Sequence, residues 1–486
     1  MRRLLITVVT LACAFAPAAT AAASTPGTQM DCHVGSYRLA DGRVVDIASS
    51  TESHLRWRMT DGTTGELTRG DGDAWASTLG WTGKNDGHRV AFGDCAAGRL
   101  RFDSTPGTRI RFDTTETRFA SGGVTLAGRL VLPAGDARVP IAVLVHGAEH
   151  DSAREAYALQ RLFPANGIGA FVYDKRGTGA SGGDYTQDYL MLANDAIAAM
   201  REARRIAGTR AGRIGYQAGS QGGWVAPLAA KIEPVDFVVV GFGLAVSPLE
   251  EDRSAIVLDM TRLGYGPDVV AKAMEVADAT AAVLLGGFRD GYDKVAAVRA
   301  KYGNEPWFKY VRGNATVFIL GKTEAELRRI GPTLAPSIPL QYDPLPVLRN
   351  LRVPQLWILG ADDIDAPSAE TARRLAVLAA NGAPITTAMF PDAEHGIYEY
   401  VTTADGTRLS TRQPDGYFRM MSDFIRDGRL QSSYGTATLH TVGRALSLMH
   451  GCLIALPARP KADRSSREAC TSGAFRNRSA MHCTIA

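Results

Sequence analysis

Long apolar runs are scarce in this chain of 486 residues. The stretch that begins at Leu4 holds only about a dozen residues, whereas a membrane-spanning helix needs about twenty, and no second candidate follows. Two arginines precede this stretch, and small residues follow it at Ala19 and Ala21. This order predicts a signal peptide over residues 1–21 and an exported protein, periplasmic or secreted, without a transmembrane span.

Cysteine is also sparse, with six residues in the whole chain. Cys32 and Cys95 stand at the two ends of one compact region, which in an exported protein favours a disulfide between them. Two buried free thiols are the alternative. Three further cysteines lie near the C-terminus, an odd set whose pairing the sequence leaves open: Cys452, Cys470 and Cys483.

A basic stripe of the kind that lines a nucleic-acid groove is absent from the body of the chain. The formal charge of +4 reflects two arginines of the signal peptide and residues 431–486, where seven Lys or Arg stand against two Asp or Glu. The rest of the chain is slightly acidic. We therefore expect no nucleic-acid partner.

Patterns for cofactors are weak as well. His146 and His150 have no further ligands at metal-site spacing, so no metal is expected. Residues 177–182 formally match the dinucleotide pattern G-x-G-x-x-G after a predicted strand, which makes an oxidoreductase a competing class. The acidic residue about twenty positions on, Glu202, falls inside a predicted helix instead of at a strand end. We therefore expect no cofactor.

Hairpin signals are abundant between about residues 30 and 115. Asp-Gly pairs separate short runs of β-branched and aromatic residues, and they begin at Asp41, Asp61, Asp71 and Asp86. Because Asp-Gly tolerates the positive φ angles of tight hairpin turns, this region predicts a small antiparallel β domain. Trp57, Trp75 and Trp81 are expected partly in its core, with a sugar- or peptide-binding surface as the alternative.

From residue 118 onward, continuous apolar runs alternate with helical patterns. Such runs are buried on both faces, which predicts an α/β domain with a mostly parallel sheet and helices on both faces. The runs are residues 141–145, 169–173, 235–240 and 356–359. A helical segment at about 248–343 is interpreted as a cap over the carboxyl ends of the strands. The domain is expected to end near residue 430, and residues 431–486 form a basic tail that the composition leaves open as either disordered or an added segment.

A serine stands where a strand-to-helix turn is predicted. Ser220 lies between the small residues Ala218 and Gly222, directly after a short apolar run. A nucleophile at so tight a turn has a strained backbone, and bulky neighbours would clash with the adjoining strand. Further along, Asp363 and His395 each follow another apolar run. Serine, acid and histidine in this order indicate a hydrolase triad, with an ordinary glycine-rich loop as the alternative.

The region from about 119 to 427 resembles the α/β-hydrolase family, in particular bacterial esterase-like members with a Ser-Gln-Gly-Gly elbow. The resemblance rests on His146-Gly147, the loop 174–181, the elbow at Ser220, Asp363 and His395. It implies that Ser220 attacks an acyl carbonyl, that His395 takes the serine proton and that Asp363 orients the imidazole. Asp362 and Asp365 stay rivals for the acid, because spacing alone does not orient side chains.

The same resemblance implies an oxyanion hole built from the backbone N–H groups of Gln221 and Ala148. Trp307, Phe308 and Tyr310 are candidate pocket walls in the cap, with packing inside the cap as the alternative. The expected function is hydrolysis of a small-molecule carboxylic ester through an acyl-enzyme intermediate. A peptidase or thioesterase of the same fold, or a non-catalytic binding protein on this scaffold, are the alternatives.

Overall fold

The computed structural model describes residues 31–50, 54–70, 74–334, 337–404 and 406–441. The predicted signal peptide, most of the predicted tail and the three cysteines near the C-terminus lie outside these ranges. Among the helices inside them, none has the length and apolar character needed to cross a membrane.

Eight short antiparallel strands close into a small barrel. They are β1 (Gly35–Leu39), β2 (Val44–Ser49), β3 (Leu55–Met59), β4 (Thr64–Arg69), β5 (Ala74–Leu79), β6 (Asn85–Phe92), β7 (Arg99–Phe102) and β8 (Thr105–Arg109). Aromatic and aliphatic side chains fill the interior, including Trp57, Trp75 and Phe102. Trp81 is 40% exposed, so its expected place in the core is wrong; it follows the end of β5, in a turn at the barrel rim.

A disulfide joins Cys32, just before β1, to Cys95, in the turn between β6 and β7. This confirms the predicted bridge. The two cysteines are 63 positions apart, and the bridge encloses the segment that carries β1 to β6.

The strands that follow build a large sheet and one hairpin. They are β9 (Phe112–Ser121), β10 (Val124–Pro133), β11 (Val139–Val145), β12 (Gly169–Tyr173), β13 (Ala211–Gly219), β14 (Val238–Gly241), β15 (Gln355–Gly360), β16 (Ile385–Phe390), β17 (Glu399–Thr402), β18 (Arg408–Arg412) and β19 (Thr438–Thr441). The sheet order is β19-β16-β15-β14-β13-β11-β12-β10-β9, and β17 pairs with β18 apart from it. Strands β11 to β16 run parallel, while β10 and β19 join the parallel set antiparallel.

Helices cover both faces of the sheet. Within the described residues they are α1 (Ala153–Ala156), α2 (Leu159–Ala165), α3 (Tyr189–Ala207), α4 (Gly222–Ile232), α5 (Pro248–Arg262), α6 (Pro267–Leu285), α7 (Tyr292–Tyr302), α8 (Thr316–Leu320), α9 (Glu324–Leu334), α10 (Leu345–Asn350), α11 (Ser368–Ala380) and α12 (Tyr417–Asp427). Helices α3, α4 and α11 pack on one face, and α2 and α12 on the other. Helices α5 to α9 lie between β14 and β15 in the chain and form the cap around their own apolar cluster.

This arrangement is the α/β-hydrolase fold with a helical cap and an added β domain, which confirms the predicted fold class. Two boundaries differ from the prediction. Strand β9 begins at Phe112, so the main sheet starts before the expected limit near residue 115. Strand β19 pairs with β16 and covers its open edge, so the chain up to residue 441 belongs to the sheet and not to a disordered tail.

Candidate active site

Ser220 lies at the turn between β13 and α4, with a φ of +50°. This left-handed conformation is strained for a residue with a side chain, and in a strand-to-helix elbow it exposes the nucleophile. Space around the turn is limited, because a Cβ at Gly222 would lie 2.6 Å from the carbonyl oxygen of Val145. Glycine at position 222 therefore allows the helix to start directly beside β11.

His395 lies in a tight loop, residues 394–398, that follows β16. Its Nε2 is 3.2 Å from Ser220 Oγ, although 175 positions separate the two residues in the chain. The imidazole also meets the ring of Phe242 edge-on, with 5.0 Å between the ring centroids. Ile397 in the same loop has a φ of +57°, so the loop that presents the imidazole is itself strained.

Asp363 follows β15 and is almost completely buried. Its Oδ2 lies 2.9 Å from His395 Nδ1, while its Oδ1 accepts hydrogen bonds from the backbone N–H groups of Asp365 (3.0 Å) and Ala366 (2.7 Å). A carboxylate only accepts, so Nδ1 of the neutral imidazole must carry the proton. His395 Nε2 is then an acceptor, and it faces the Ser220 hydroxyl.

The two neighbouring aspartates have other partners. Asp362 Oδ2 accepts a hydrogen bond from the Tyr400 hydroxyl at 2.7 Å. Asp365 contributes its backbone N–H to Asp363, and its side chain makes no hydrogen bond to His395. Of the three candidates for the acid, the structure brings only Asp363 into hydrogen-bond contact with the imidazole.

Acidic side chains surround this imidazole. Burial by itself would lower the pKa of His395, but the hydrogen bond to Asp363 and the charge of that carboxylate, with smaller contributions from Asp365 and Glu251, outweigh burial and raise the pKa above 6.5. Burial is the main reason why the pKa of Glu251 is raised to about 8; His395 acts to lower this pKa, and the nearby Asp363 acts to raise it. The site therefore favours a positive charge on the imidazole, which is the charge that forms when a histidine accepts a proton.

Glu251 is a residue of the site that the sequence patterns missed. It lies in the first turn of α5, and its Oε1 accepts a hydrogen bond from Asn314 Nδ2 at 3.1 Å. The same amide donates to the carbonyl oxygen of Asp365 at 2.8 Å, which ties the cap to the loop after β15. The available signal was the capping box of Ser247 and Glu250, which starts α5 soon after β14 and so near the carboxyl edge of the sheet.

The loop after β11 runs beside the serine. A Cβ at Gly147 would lie 3.2 Å from Ser220 Cβ, and the N–H of Gly147 donates to Glu149 Oε1 at 3.3 Å. No hydrogen bond within the described residues uses the backbone N–H of Ala148 or of Gln221. Two unengaged donors therefore flank the contact between Gly147 and Ser220, one on each chain segment.

The Glu149 carboxylate anchors this loop. It accepts hydrogen bonds from the Gly147 N–H and the Tyr157 hydroxyl, and it lies 3.6 Å from His146 Nδ1. Burial alone would raise the pKa of Glu149, but His146 and the hydrogen bonds lower it to about 2. His146 Nε2 accepts from the backbone N–H of Lys175 at 3.0 Å, so its Nδ1 proton faces the carboxylate.

The glycine loop that matches a dinucleotide pattern wraps around a buried carboxylate. Asp174 accepts a hydrogen bond from the Ala180 N–H at 2.9 Å, and a Cβ at Gly179 would lie 2.3 Å from Asp174 Oδ2. Arg176 binds Asp195 through two hydrogen bonds of 2.7 and 2.6 Å. Gly179 of the pattern therefore packs on the Asp174 carboxylate, which Arg154 also contacts at 3.5 Å.

The three predicted pocket residues pack inside the cap. Trp307 is 4% exposed and belongs to the apolar cluster of the cap, against Tyr302. Phe308 and Tyr310 are partly buried against the same cluster. This is the alternative that the sequence left open, and it makes Glu251 and Asn314 the cap residues that reach the catalytic loops.

Comparisons with known proteins give remote structural matches. No family model and no curated protein sequence matches the chain. Among solved structures, an esterase from Pyrococcus furiosus matches with a TM-score of 0.36 and 14% identity, over 58% of this chain and 84% of the esterase. The acylaminoacyl peptidase of Pyrococcus horikoshii matches with a TM-score of 0.39 and 14% identity, over 80% of this chain and 57% of the peptidase. The α/β hydrolase GrgF from Penicillium matches with a TM-score of 0.38 and 17% identity, over 58% of this chain and 91% of GrgF.

Proposed function

We propose that this chain is a serine hydrolase that cleaves small carboxylic esters through an acyl-enzyme intermediate. The observation that carries the proposal is the hydrogen-bonded series from Ser220 Oγ through His395 to Asp363, with spacings of 3.2 and 2.9 Å. The serine of this series sits at a strained elbow, and the histidine is in the tautomer that can accept the serine proton. A histidine with a purely structural role would need neither feature.

The first half of the reaction forms the acyl-enzyme. A serine hydroxyl is a weak nucleophile at neutral pH, so His395 removes its proton as Ser220 Oγ attacks the ester carbonyl carbon. The carbonyl oxygen becomes negative, and the free N–H groups of Gln221 and Ala148 are the proposed donors to it. One such donor contributes about 3 kcal/mol to the stability of the transition state.

The first half ends with release of the alcohol, and the second half releases the acid. The imidazolium of His395 gives its proton to the leaving alcohol oxygen, the ester bond breaks, and the acyl group stays on Ser220. Water then enters, and His395 takes a proton from it as the water oxygen attacks the acyl carbon. The bond between the acyl carbon and Ser220 Oγ breaks, His395 returns the proton to Oγ, and the carboxylic acid leaves. Asp363 stabilises the imidazolium in both halves and holds the tautomer between them. The reaction needs no cofactor.

We favour an ester over a peptide as the substrate class because of the architecture of the N-terminal domain. Peptidases that resemble prolyl oligopeptidase carry a many-bladed propeller, whereas the domain described here is one eight-stranded barrel with a filled interior. The alternatives to be distinguished by experiment are a peptidase, a thioesterase and a binding protein without catalytic activity.

A fluorophosphonate probe tests the proposal directly. We expect it to label Ser220 covalently in the folded protein and to leave Ser220→Ala unlabelled. Turnover of p-nitrophenyl esters of increasing acyl length, set beside acyl thioesters and aminoacyl anilides, then assigns the substrate class. Absence of labelling in well-folded protein would favour a binding protein, and cleavage of anilides but not of esters would favour a peptidase.

We also propose that the mature protein is exported, to the periplasm or the medium. The bridge between Cys32 and Cys95 supports this, because such disulfides persist in oxidising compartments. N-terminal sequencing of the protein recovered from each cell fraction tests the proposal, with a start shortly after residue 21 expected. A start at Met1 in the cytoplasmic fraction would contradict it.

A further inference from the structure

The loop that carries His395 is connected to the N-terminal barrel through the β17–β18 hairpin. The backbone N–H of Trp81 donates to the carbonyl oxygen of Ser410 at 2.9 Å, and that of Gln413 donates to the carbonyl oxygen of Gly62 at 3.0 Å. The side chain of Gln413 then donates to the carbonyl oxygen of Gly396, the residue after His395, at 3.1 Å. A continuous path of hydrogen bonds therefore leads from the barrel rim to the histidine loop.

Side chains reinforce this path at the tryptophan. The ring of Trp81 meets the ring of Tyr398 edge-on, with 4.9 Å between the centroids, and Tyr398 is the last residue of the histidine loop. The guanidinium of Arg56 lies 3.9 Å above the Trp81 ring and donates to the carbonyl oxygen of Gly80 at 3.0 Å. The tryptophan that is absent from the barrel core thus has a partner outside the barrel.

Close approach of backbones fixes the distance between the two parts. A Cβ at Gly62 would lie 2.0 Å from the carbonyl oxygen of Gln413, and a Cβ at Gly80 would lie 2.4 Å from the carbonyl oxygen of Ser410. Neither position has room for a side chain. These contacts fix the position of the hairpin against the rim, and with it the position of the segment that follows His395.

Side chains pack the interior of the barrel. Its centre is filled by buried side chains such as Tyr37, Trp57 and Phe102, as in small barrels that hold no ligand. A disulfide and a closed strand order constrain the barrel. A constrained domain with a filled centre is suited to support a neighbouring segment.

We infer that the barrel is a positioning element for catalysis, in which Gly62 and Trp81 hold the loop of His395 so that its Nε2 stays within reach of Ser220. The inference rests on the proposed serine hydrolase function. Gly62 and Trp81 touch no reacting atom; they act through Gln413 and Tyr398. A displacement of a catalytic group by about 1 Å can lower the rate by about 10²-fold. Weakening the contacts between the rim and the hairpin should therefore lower mainly kcat.

Two equivalent turns of the barrel provide a matched test. Gly42 and Gly62 both follow an aspartate, both have a φ of +91°, and their aspartates accept the same type of backbone hydrogen bond two residues on. A Cβ at Gly42 has no atom within 4 Å, whereas a Cβ at Gly62 collides with Gln413. Gly42→Ala and Gly62→Ala therefore share the strain of the turn and differ in the contact with the hairpin.

We expect Gly62→Ala to lower kcat by about ten- to a hundred-fold with KM changed less than about twofold, because a displaced imidazole slows proton transfer without altering substrate binding. Gly42→Ala should keep wild-type kcat. Wild-type kcat in folded Gly62→Ala would overturn the inference. A loss of kcat in Gly42→Ala equal to that in Gly62→Ala would also overturn it, since turn strain alone would then explain the effect.

Trp81 gives a second test that does not depend on backbone strain. Trp81→Ala should lower kcat, and Trp81→Phe should restore most of it because a phenyl ring still meets Tyr398 edge-on. Leu79→Ala is the control, since Leu79 ends β5 two residues before Trp81 and has a similarly exposed apolar side chain, 38% exposed. No loss of kcat in Trp81→Ala, or an equal loss in Leu79→Ala, would contradict the inference.

Fluorophosphonate labelling of the wild type separates this inference from the proposed function. If wild-type Ser220 is not labelled, the proposed function fails. If the wild type is labelled and turns over esters while Gly62→Ala and Trp81→Ala do so at the same rates, the function stands and the positioning role fails. We expect labelling of both variants to be slower than that of the wild type, since the probe also needs an activated serine.

Discussion

Replacing Asp363 with asparagine tests the proposed triad at its acid, and the surroundings of the carboxylate set the expected result. Its Oδ1 accepts hydrogen bonds from the backbone N–H groups of Asp365 and Ala366, and its Oδ2 faces His395 Nδ1. In Asp363→Asn the amide oxygen must take the Oδ1 place, because an NH₂ group there would face two N–H donors. The NH₂ group then faces His395 Nδ1, which can only accept from it.

The imidazole is thereby forced into the wrong tautomer. Its proton moves to Nε2, the nitrogen that lies 3.2 Å from Ser220 Oγ, and His395 can no longer take the serine proton. We expect kcat to fall by about 10⁴-fold, the effect of the same exchange in a serine protease triad. This loss corresponds to about 5.5 kcal/mol of transition-state stabilisation.

The assay is ester hydrolysis at a pH where wild-type activity has reached its plateau, with Asp365→Asn as the matched control. That variant makes the same exchange two residues on, at a side chain with no hydrogen bond to His395, and it should keep most of its plateau activity. Near-wild-type turnover by Asp363→Asn would refute the tautomer argument. A loss in Asp365→Asn as large as in Asp363→Asn would mean that the acid is wrongly assigned.

Three further predictions concern pH and stability. Activity requires neutral His395, whose pKa is raised by its acidic neighbours, so kcat/KM should fall with decreasing pH already above 6.5, and Asp365→Asn should move this fall to lower pH. Opening the disulfide with Cys95→Ser should lower the free energy of unfolding by about 4 kcal/mol, since the bridge spans 63 positions, as measured by urea denaturation with and without reductant. Arg161 of α2 forms an ion pair with the fully buried Asp46 of the barrel. Arg161→Met leaves Asp46 without this partner and should lower the free energy of unfolding by about 3–5 kcal/mol in the same assay.

The sequence revealed the candidate site because the chemistry lies at strand ends. Ser220, Asp363 and His395 each follow a short apolar run, and the carboxyl ends of parallel strands meet at one edge of a sheet. The order of the three residues and the type of sheet were therefore enough to place them near one another. The choice between Asp362, Asp363 and Asp365 was beyond the sequence, because it depends on which carboxylate the backbone N–H groups after β15 turn toward the imidazole.

Side-chain surroundings were less accessible to pattern analysis. Trp81 and Trp307 were both assigned from their type, yet one is exposed at the barrel rim and the other is buried in the cap. Both outcomes depend on which distant segment packs against the residue. Strand β19, with four residues in a polar context, likewise acquires its structure only by pairing with β16.

Ile397 shows why the position of the imidazole has no local sequence signature. Its φ of +57° is unfavourable for a β-branched residue and costs about 1–3 kcal/mol. Its side chain is fully buried, and burying an isoleucine contributes about 1.5–3 kcal/mol. Because the two contributions are of similar size, the loop keeps its strained form only while neighbouring segments cover the isoleucine. Gln413 and Tyr398 connect the loop itself to the hairpin and the barrel, so a change at the rim that leaves the barrel folded should still act on the distance between His395 and Ser220.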